Sequence, residues 1–171
     1  TTITGNSIID HDDVQSRGAA LNADGTTVVL TDVTLSGHYA ERGGAIWSNG
    51  WDITLTGGAL TDNSAEDGGA VWYQSSSRTL TLEGVEIGRN TATSRGGVVY
   101  LGQGTLDVQG GTLFENTASQ GGAVWVESSS ATVTVTDATV RDHVASDAAL
   151  AVYGATVTNT TFQDNTASDV L

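Results

Sequence analysis

Apolar and polar residues alternate along this chain in short runs, and the same runs recur at a nearly fixed distance. Alternation with a period of two over so few residues predicts β-strands rather than helices. One run follows each Gly-Gly pair that begins at Gly43, Gly68, Gly96 or Gly121, and two more runs follow before the next of these pairs. The middle run of successive repeats is Ile53-Thr54-Leu55, Leu80-Thr81-Leu82, Leu106-Asp107-Val108 and Val133-Thr134-Val135.

The first run is marked by a repeated phrase, Gly-Gly followed by two small or aliphatic residues and an aromatic one. Its copies begin at Gly43, Gly68, Gly96 and Gly121, so the steps are about 25 to 28 residues. Residues 149–153 form a degenerate later copy and residues 18–21 an earlier one. A period between 20 and 50 residues is typical of solenoids, in which each coil is one small supersecondary unit.

A second position, which we call the anchor, carries Asn or His, with Ala two residues later and an apolar residue three residues earlier. Asn tolerates the left-handed conformation and its amide bonds to backbone groups in turns, so we interpret the anchors as a structural turn ladder rather than as ligands. In the first repeat, residues 13–15 occupy this slot. The anchors are His38, Asn63, Asn90, Asn116, His143 and Asn165.

Three short strands per repeat of about 26 residues, with no helical segment between them, predict an all-β fold. We expect a parallel β-helix (β-solenoid) of about six to seven coils, in one domain that spans residues 1–171. Coils stacked at ~4.8 Å make it a rod. The residues expected to point inward are Leu55, Val71, Leu82, Val99, Val108, Val124 and Val135.

The composition narrows the partners. The chain has 20 acidic residues against six basic ones and a formal net charge of −14. Nucleic acids and anionic membrane surfaces need clustered Lys and Arg, so we expect neither as a partner. Cysteine is absent, which excludes disulfides and thiolate metal sites. No apolar run reaches the ~20 residues that span a bilayer, so we expect no membrane insertion.

The pairing of Gly-Gly-Ala-(Ile/Val) with Phe-x-x-Asn resembles the repeat of polymorphic outer-membrane proteins, which are autotransporter passengers and adhesins. The matching residues run from Gly43 to Ile46, from Gly68 to Val71, from Gly121 to Val124 and from Phe162 to Asn165. This resemblance covers nearly the whole chain. It implies a right-handed β-helix and an extracellular or cell-surface location.

Aromatic residues follow the Gly-Gly phrase at equivalent positions. Alternation places them on the strand face opposite Ile46 and its equivalents, and Asn22 takes their slot in the first repeat. Asn is costly in a dry core, so we expect the aromatic column to face solvent, as a platform for polysaccharide or a contact for a partner. The opposite arrangement, with the rings in the core, stays open. The column is Trp47, Trp72, Tyr100, Trp125 and Tyr153.

The sequence gives less indication of a catalytic or cofactor site than of a structural repeat. Hydrolysis of a glycoside needs two converging carboxylates. Glu83 and Asp107 lie in adjacent coils, but there is no Lys and the Arg residues are scattered. We therefore expect no enzyme and no cofactor, with a polysaccharide lyase or glycosidase and an ice-binding threonine array as minor alternatives. A weak calcium candidate is Asp10, Asp12 and Asp13.

Both ends of the chain lack a recognisable cap. We read Thr2, Ile3 and Thr4 as the second strand of a coil and expect Val170 and Leu171 to enter a first strand, so that two ends could join. A head-to-tail contact that does not close gives a filament. The sequence thus predicts a non-catalytic structural protein whose partner is another copy or the flanking coils of a longer chain. The alternative is a carbohydrate-binding adhesin fragment that uses the aromatic column.

Overall fold

The computed structural model describes residues 1–6 and 16–167. Within these residues the regular structure consists of short strands of two to five residues. The strands of the first half are β1 Thr2–Thr4, β2 Leu21–Asp24, β3 Val28–Thr31, β4 Thr34–Ser36, β5 Ile46–Asn49, β6 Ile53–Thr56, β7 Ala59–Thr61, β8 Ser64–Asp67, β9 Val71–Gln74, β10 Thr79–Glu83 and β11 Glu86–Gly88. Those of the second half are β12 Thr91–Arg95, β13 Val99–Leu101, β14 Thr105–Gln109, β15 Thr112–Phe114, β16 Val124–Val126, β17 Thr132–Thr136, β18 Thr139–Arg141, β19 Val144–Ala145, β20 Leu150–Ala151, β21 Ala155–Thr158, β22 Thr161–Gln163 and β23 Thr166–Ala167.

The strands stack into three long parallel sheets, and successive strands of each sheet come from successive coils. The first-strand sheet has the order β2-β5-β9-β13-β16-β20, and the second-strand sheet the order β3-β6-β10-β14-β17-β21. The third-strand sheet has the order β1-β4-β7-β11-β15-β18-β22. The chain is thus a parallel β-solenoid of about six coils, about 26 residues apart, which confirms the predicted fold class.

The core is built by the alternation seen in the sequence. In the second-strand sheet Leu80 pairs with Ile53 and Leu106, and Leu82 pairs with Leu55 and Val108, so the same apolar column continues from coil to coil. Side chains of one strand face point into the solenoid and pack against the other two sheets. All seven residues predicted to point inward are buried, with 0–2 % of their surface exposed.

A fourth, shorter side follows the anchor, where β8 pairs with β12 and β19 pairs with β23. The chain turns into this side through a residue with positive φ. The sequence led us to expect the anchor itself in this conformation, and that expectation is wrong. The residue before the anchor adopts it, so the anchor side chain can point inward. These left-handed residues are Gly5, Gly37, Asp62, Arg89, Glu115, Asp142 and Asp164.

The N-terminal strand is not the second strand of a coil. β1 pairs with β4 in the third-strand sheet, with Ile3 opposite Leu35. An anchor follows the third strand of each coil, and Asn6 is the anchor that follows β1. Its backbone N–H donates to Nδ1 of the next anchor, His38, at 3.1 Å. Asn6 is therefore an additional anchor, two residues after the strand. The earlier candidate for this slot, residues 13–15, lies outside the described residues.

The last coil is only half covered. Residues whose equivalents are buried in earlier coils are open here: Val157 is 43 % and Phe162 46 % exposed. Their strands, β21 and β22, each pair with one neighbour, β17 and β18. In the part of the chain that the structure describes, no helix is long and apolar enough to cross a membrane.

Candidate functional site

The aromatic column forms a stack along the outside of the first-strand sheet. The rings of Trp47 and Trp72 lie 5.5 Å apart and within 8° of parallel. The rings of Trp72 and Tyr100 lie 5.7 Å apart and within 6° of parallel. The parallel register of β5, β9 and β13 brings them together, because strand pairing puts Trp47 opposite Trp72 and Trp72 opposite Tyr100. Their strand neighbours Ile46, Val71 and Val99 belong to the core instead.

Arginine side chains from the turn before the first strand cover the stack. Arg17 and Arg42 each lie over the ring of the following coil, and Arg95 lies over the ring of its own coil. The guanidinium carbon of Arg17 lies 4.6 Å from the ring centroid of Trp47. The equivalent distances are 5.6 Å for Arg42 over Trp72 and 4.9 Å for Arg95 over Tyr100. A cation over an aromatic face is attracted by the ring quadrupole, so each pair adds to the stack.

Arg95 is the best held of these arginines. Its guanidinium donates to both carboxylate oxygens of Asp67, at 3.0 and 2.9 Å, and to Glu127 Oε2 at 2.9 Å. The hydrogen bond to Asp67 raises the pKa of Arg95. Burial raises the pKa of the Tyr100 hydroxyl. The cation therefore keeps its charge between a ring and a carboxylate, which is a complete guanidinium site within one chain.

The expectation of a solvent-facing aromatic platform is wrong for three of its five residues. Trp47, Trp72 and Tyr100 are 4, 7 and 8 % exposed. The rings do lie outside the core, but the rings of adjacent coils cover each other's faces and the arginines cover much of the rest. Alternation alone shows the side of the strand on which a ring lies, and it cannot show what stacks on it.

Tyr153 does not belong to the column. The structure pairs Val124 with Leu150 and Trp125 with Ala151, so the degenerate phrase is aligned two residues earlier than its letters suggest. Ala151 therefore occupies the aromatic position of the last coil. Tyr153 lies beyond the strand and is 67 % exposed.

Because Ala151 replaces a ring, the aromatic column ends in a recess at Trp125, which packs against the three stacked rings. The recess has a volume of about 380 Å³ and is lined by Trp125, Asp147, Ala151 and Tyr153 among others. Trp125 is only partly buried, and its indole Nε1 donates to Glu127 Oε2 at 3.1 Å. This is the one end of the column where an outside group can reach an aromatic face among the described residues.

The anchors form a ladder inside the solenoid. Asn63 donates from its backbone N and from Nδ2 to Asn90 Oδ1, both at 3.0 Å. Asn90 does the same to Asn116 Oδ1, at 2.9 Å in each case. Each anchor amide also donates to a carbonyl of the preceding coil, as Asn90 does to Leu60 at 2.9 Å. The amides of Asn63, Asn90 and Asn116 are fully buried and internally paired, which leaves them no group to offer a ligand.

Histidine fills the same slot by a different bond. The backbone N of Asn116 donates to Nδ1 of His143 at 3.1 Å, so Nδ1 is unprotonated. His143 is 1 % exposed and its Nε2 has no hydrogen-bond partner in the described part of the chain. Burial lowers the pKa of His143 to about 4. The side chain is therefore a neutral structural group at pH 7.

The carboxylates singled out for chemistry lie on the outer face of the second-strand sheet. Asp107 pairs with Thr81, and Glu83 lies two positions further along opposite Gln109. Asp107 accepts a hydrogen bond from Gln109 Nε2 at 2.6 Å, and Glu83 one from Thr56 at 3.5 Å. Within residues 1–6 and 16–167, no three His, Asp or Glu side chains are placed to hold a metal ion. The calcium candidates Asp10, Asp12 and Asp13 lie outside the described residues.

A second recess opens at the end of the core itself. It has a volume of about 520 Å³ and is lined by residues that point inward in the last coil, including Leu150, Val157 and Phe162. Its rim includes the anchor Asn165, whose Nδ2 donates to Val140 O at 2.9 Å. The recess is a cross-section of the core at the last described coil. Val170 and Leu171, which we expected to take part in end-to-end contacts, lie outside the described residues.

The comparisons with known proteins agree with this architecture. The model of a family described as a right handed beta helix region matches residues 1–167, so the chain belongs to that family. The family includes pectate lyase-like enzymes as well as proteins without activity, so membership does not decide between them. Neither the curated proteins nor the solved structures gave a significant match.

Proposed function

We propose that this member of the right-handed β-helix family is a structural protein of the cell surface or extracellular space. It carries out no reaction and stacks end to end with copies of itself into a rod. The observation that carries the proposal is the open last coil, in which the core of the solenoid is exposed in cross-section. The resemblance to autotransporter passengers supports the location.

Burial of this coil by another would stabilise the contact through apolar surface. Leu150, Val157 and Phe162 line one continuous recess rather than three separate patches. Removing apolar surface from water contributes about 25 cal/mol per Å². The free edges of β20, β21 and β22 would also gain parallel partners for their backbone N–H and C=O groups.

The other end of the chain offers matching strands. β2 and β3 are the outermost strands of the first- and second-strand sheets. If a second copy continued these sheets, Leu21 would follow Leu150 in the inner column, and Leu30 would follow Val157. Leu21, Val28 and Leu30 are only partly buried in the single chain, as expected for residues at an open end.

The third-strand sheet places a condition on end-to-end stacking. β1 already extends that sheet one coil further than the other two. A copy that continues the first two sheets would therefore bring its β1 to the place of β22 in its neighbour. β1 (Thr2, Ile3 and Thr4) must then detach from β4, and Phe162 of the neighbour takes the position of Ile3. All three residues of β1 are exposed along the strand, so this exchange breaks few contacts.

Light scattering of the purified chain at increasing concentration and salt tests the proposal. Salt should strengthen the association because it screens repulsion between subunits of net charge −14. Phe162→Asp should abolish it. The matched control is Val144→Asp, which adds the same charge at a residue of similar exposure (47 %) on the fourth side of the solenoid. Monomers at every concentration and salt would refute the proposal.

The carbohydrate-binding alternative has less support. It needs a run of exposed aromatic faces along successive coils, and three of the five rings are covered by each other and by arginine. A screen against polysaccharides distinguishes the two. Saturable binding by a chain that stays monomeric would favour the adhesin.

A further inference from the structure

The aromatic column has an arginine over each of its first three rings and, in the part of the chain that the structure describes, none over the fourth, Trp125. Arg17, Arg42 and Arg95 belong to one column of the turn, which backbone bridges connect in the order Arg17, Arg42, Asp67, Arg95 and Gln120. In the coil of Trp125 this column carries Gln120. Among residues 16–167, guanidinium groups therefore lie over Trp47, Trp72 and Tyr100 but not over Trp125.

Room for a guanidinium is present on the other side of Trp125, towards the following coil. In the last coil Ala151 stands opposite Trp125, and the small side chain leaves the recess of about 380 Å³ beside the indole. The recess is thus open to a planar group from outside the chain, on the side of Trp125 that faces the following coil.

The recess also carries the negative charge of a guanidinium site. Asp147 lines it, and Oδ1 of Asp147 accepts from the backbone N of Gly121 at 2.8 Å and from that of Ala148 at 2.6 Å. Those two bonds fix the carboxylate in place. Its Oδ2 has no partner within the described residues. A fixed carboxylate beside an aromatic face is the combination that Arg95 meets at Asp67 and Tyr100.

We propose that the Trp125 recess binds the guanidinium group of an arginine side chain presented by a partner polypeptide. The planar cation would stack against the indole and donate to Asp147 Oδ2. The net charge of −14 favours a basic partner over a neutral one. A sugar ring could also stack on an indole, but it would gain nothing from the carboxylate's charge.

Nα-acetyl-L-argininamide is the probe, since it presents one arginine side chain without terminal charges. Its binding is followed at constant ionic strength by the indole N–H resonance of Trp125, assigned with Trp125→Phe. We expect a saturable shift with a dissociation constant of ~1–10 mM, the range of one cation–π contact with one ion pair. The citrulline analogue, which has the same shape and no charge, should give none.

Two variants locate the site. Asp147→Asn keeps an oxygen for Gly121 N and removes the charge, so it should weaken binding ~5-fold or more. Asp24→Asn makes the same change on exposed β2 and should leave binding unchanged. Ala151→Trp puts a ring in the recess and should abolish binding while the other indole resonances keep their positions.

Three results would overturn the proposal. One is an equal shift with the citrulline analogue, and another is arginine binding that survives both Asp147→Asn and Ala151→Trp. The third is a saturable shift with methyl-β-glucopyranoside and none with the arginine probe, which would assign the recess to carbohydrate. Since the probe is monovalent and needs no second copy, its failure would leave the end-to-end stacking untouched.

Discussion

The middle coils and the last described coil of this solenoid share one repeat, yet they differ in how far their apolar side chains are buried. In the middle, Leu80, Ile87 and Leu106 are fully buried, because a neighbouring coil covers them on each side. In the last coil, Val157 and Phe162 have 43 and 46 % of their surface exposed. A coil therefore acquires its core from its neighbours and not from its own residues.

The largest difference should appear in the core. Leu106→Ala removes a side chain with 0 % exposure from the middle of the stack. We expect it to lower the free energy of unfolding by about 4 kcal/mol, because the cavity lies between two fixed coils. Phe162→Ala should cost less than about 1 kcal/mol in the monomer, since its side chain is half in solvent. Urea unfolding at low salt measures both. Equal losses would show that the last coil is covered in solution.

The anchor ladder should show the next largest difference. Asn90→Ala removes the acceptor of two bonds from Asn63 and the donor to Leu60 O, all inside the core. The groups left without partners should cost about 3 kcal/mol. Asn165→Ala removes bonds to His143 N and Val140 O at the partly exposed rim, where water can replace them. It should cost about 1 kcal/mol. A larger loss for Asn165→Ala than for Asn90→Ala would contradict this account.

The sequence was sufficient for what depends on alternation within a coil. Leu55, Leu82 and Val108 were predicted to point inward because a period of two leaves only two faces, and all three are buried. What depends on register between coils was not predictable in the same way. Tyr153 has the letters of the aromatic position, but β20 pairs two residues earlier than those letters imply. Asn6 was missed because 32 residues separate it from His38, where the other anchors are about 26 apart.

The aromatic site shows the same limit. Alternation put Trp47 and Trp72 outside the core, and both lie in a cluster separate from it. Their burial follows from contacts between coils: ring on ring, and Arg17 or Arg42 over each ring. The only signal in the sequence was the recurrence of Arg directly before a glycine at Arg17, Arg42 and Arg95, which we had taken for scattered residues.

Glycine substitutions in the middle coils and next to the last coil should differ by a smaller amount in the unfolding free energy that they cost. A Cβ on Gly97 would overlap the carbonyl oxygen of Gly122 in the next coil, and backbone cannot easily move there. Gly97→Ala should cost about 2 kcal/mol, as overpacking of a tight core does. A Cβ on Gly122 would meet nothing nearer than 3.1 Å, because the following coil is looser and carries Ala148 in this slot. Gly122→Ala should cost less than half as much by urea unfolding. A cost as large as that of Gly97→Ala would place the last coil as close as the middle ones.

His143 lies where the closed coils meet the open one, and it should make that boundary sensitive to pH. Burial holds its pKa at about 4 in the folded chain, against an ordinary value of 6.5. Between these values the unfolded chain binds a proton that the folded chain does not, so stability is lost as the pH falls from 6.5 towards 4. From pH 7 to pH 5 this loss of stability amounts to about 2 kcal/mol.

His143→Asn installs the anchor found at Asn63, Asn90 and Asn116, which does not titrate. The variant should therefore lose about 2 kcal/mol less than the parent chain over the same interval, measured by urea unfolding at both pH values. The carboxylates titrate alike in both proteins and cancel in the difference. Identical pH dependence would show that His143 takes up its proton without leaving the ladder, and that the boundary is as open to water as the last coil.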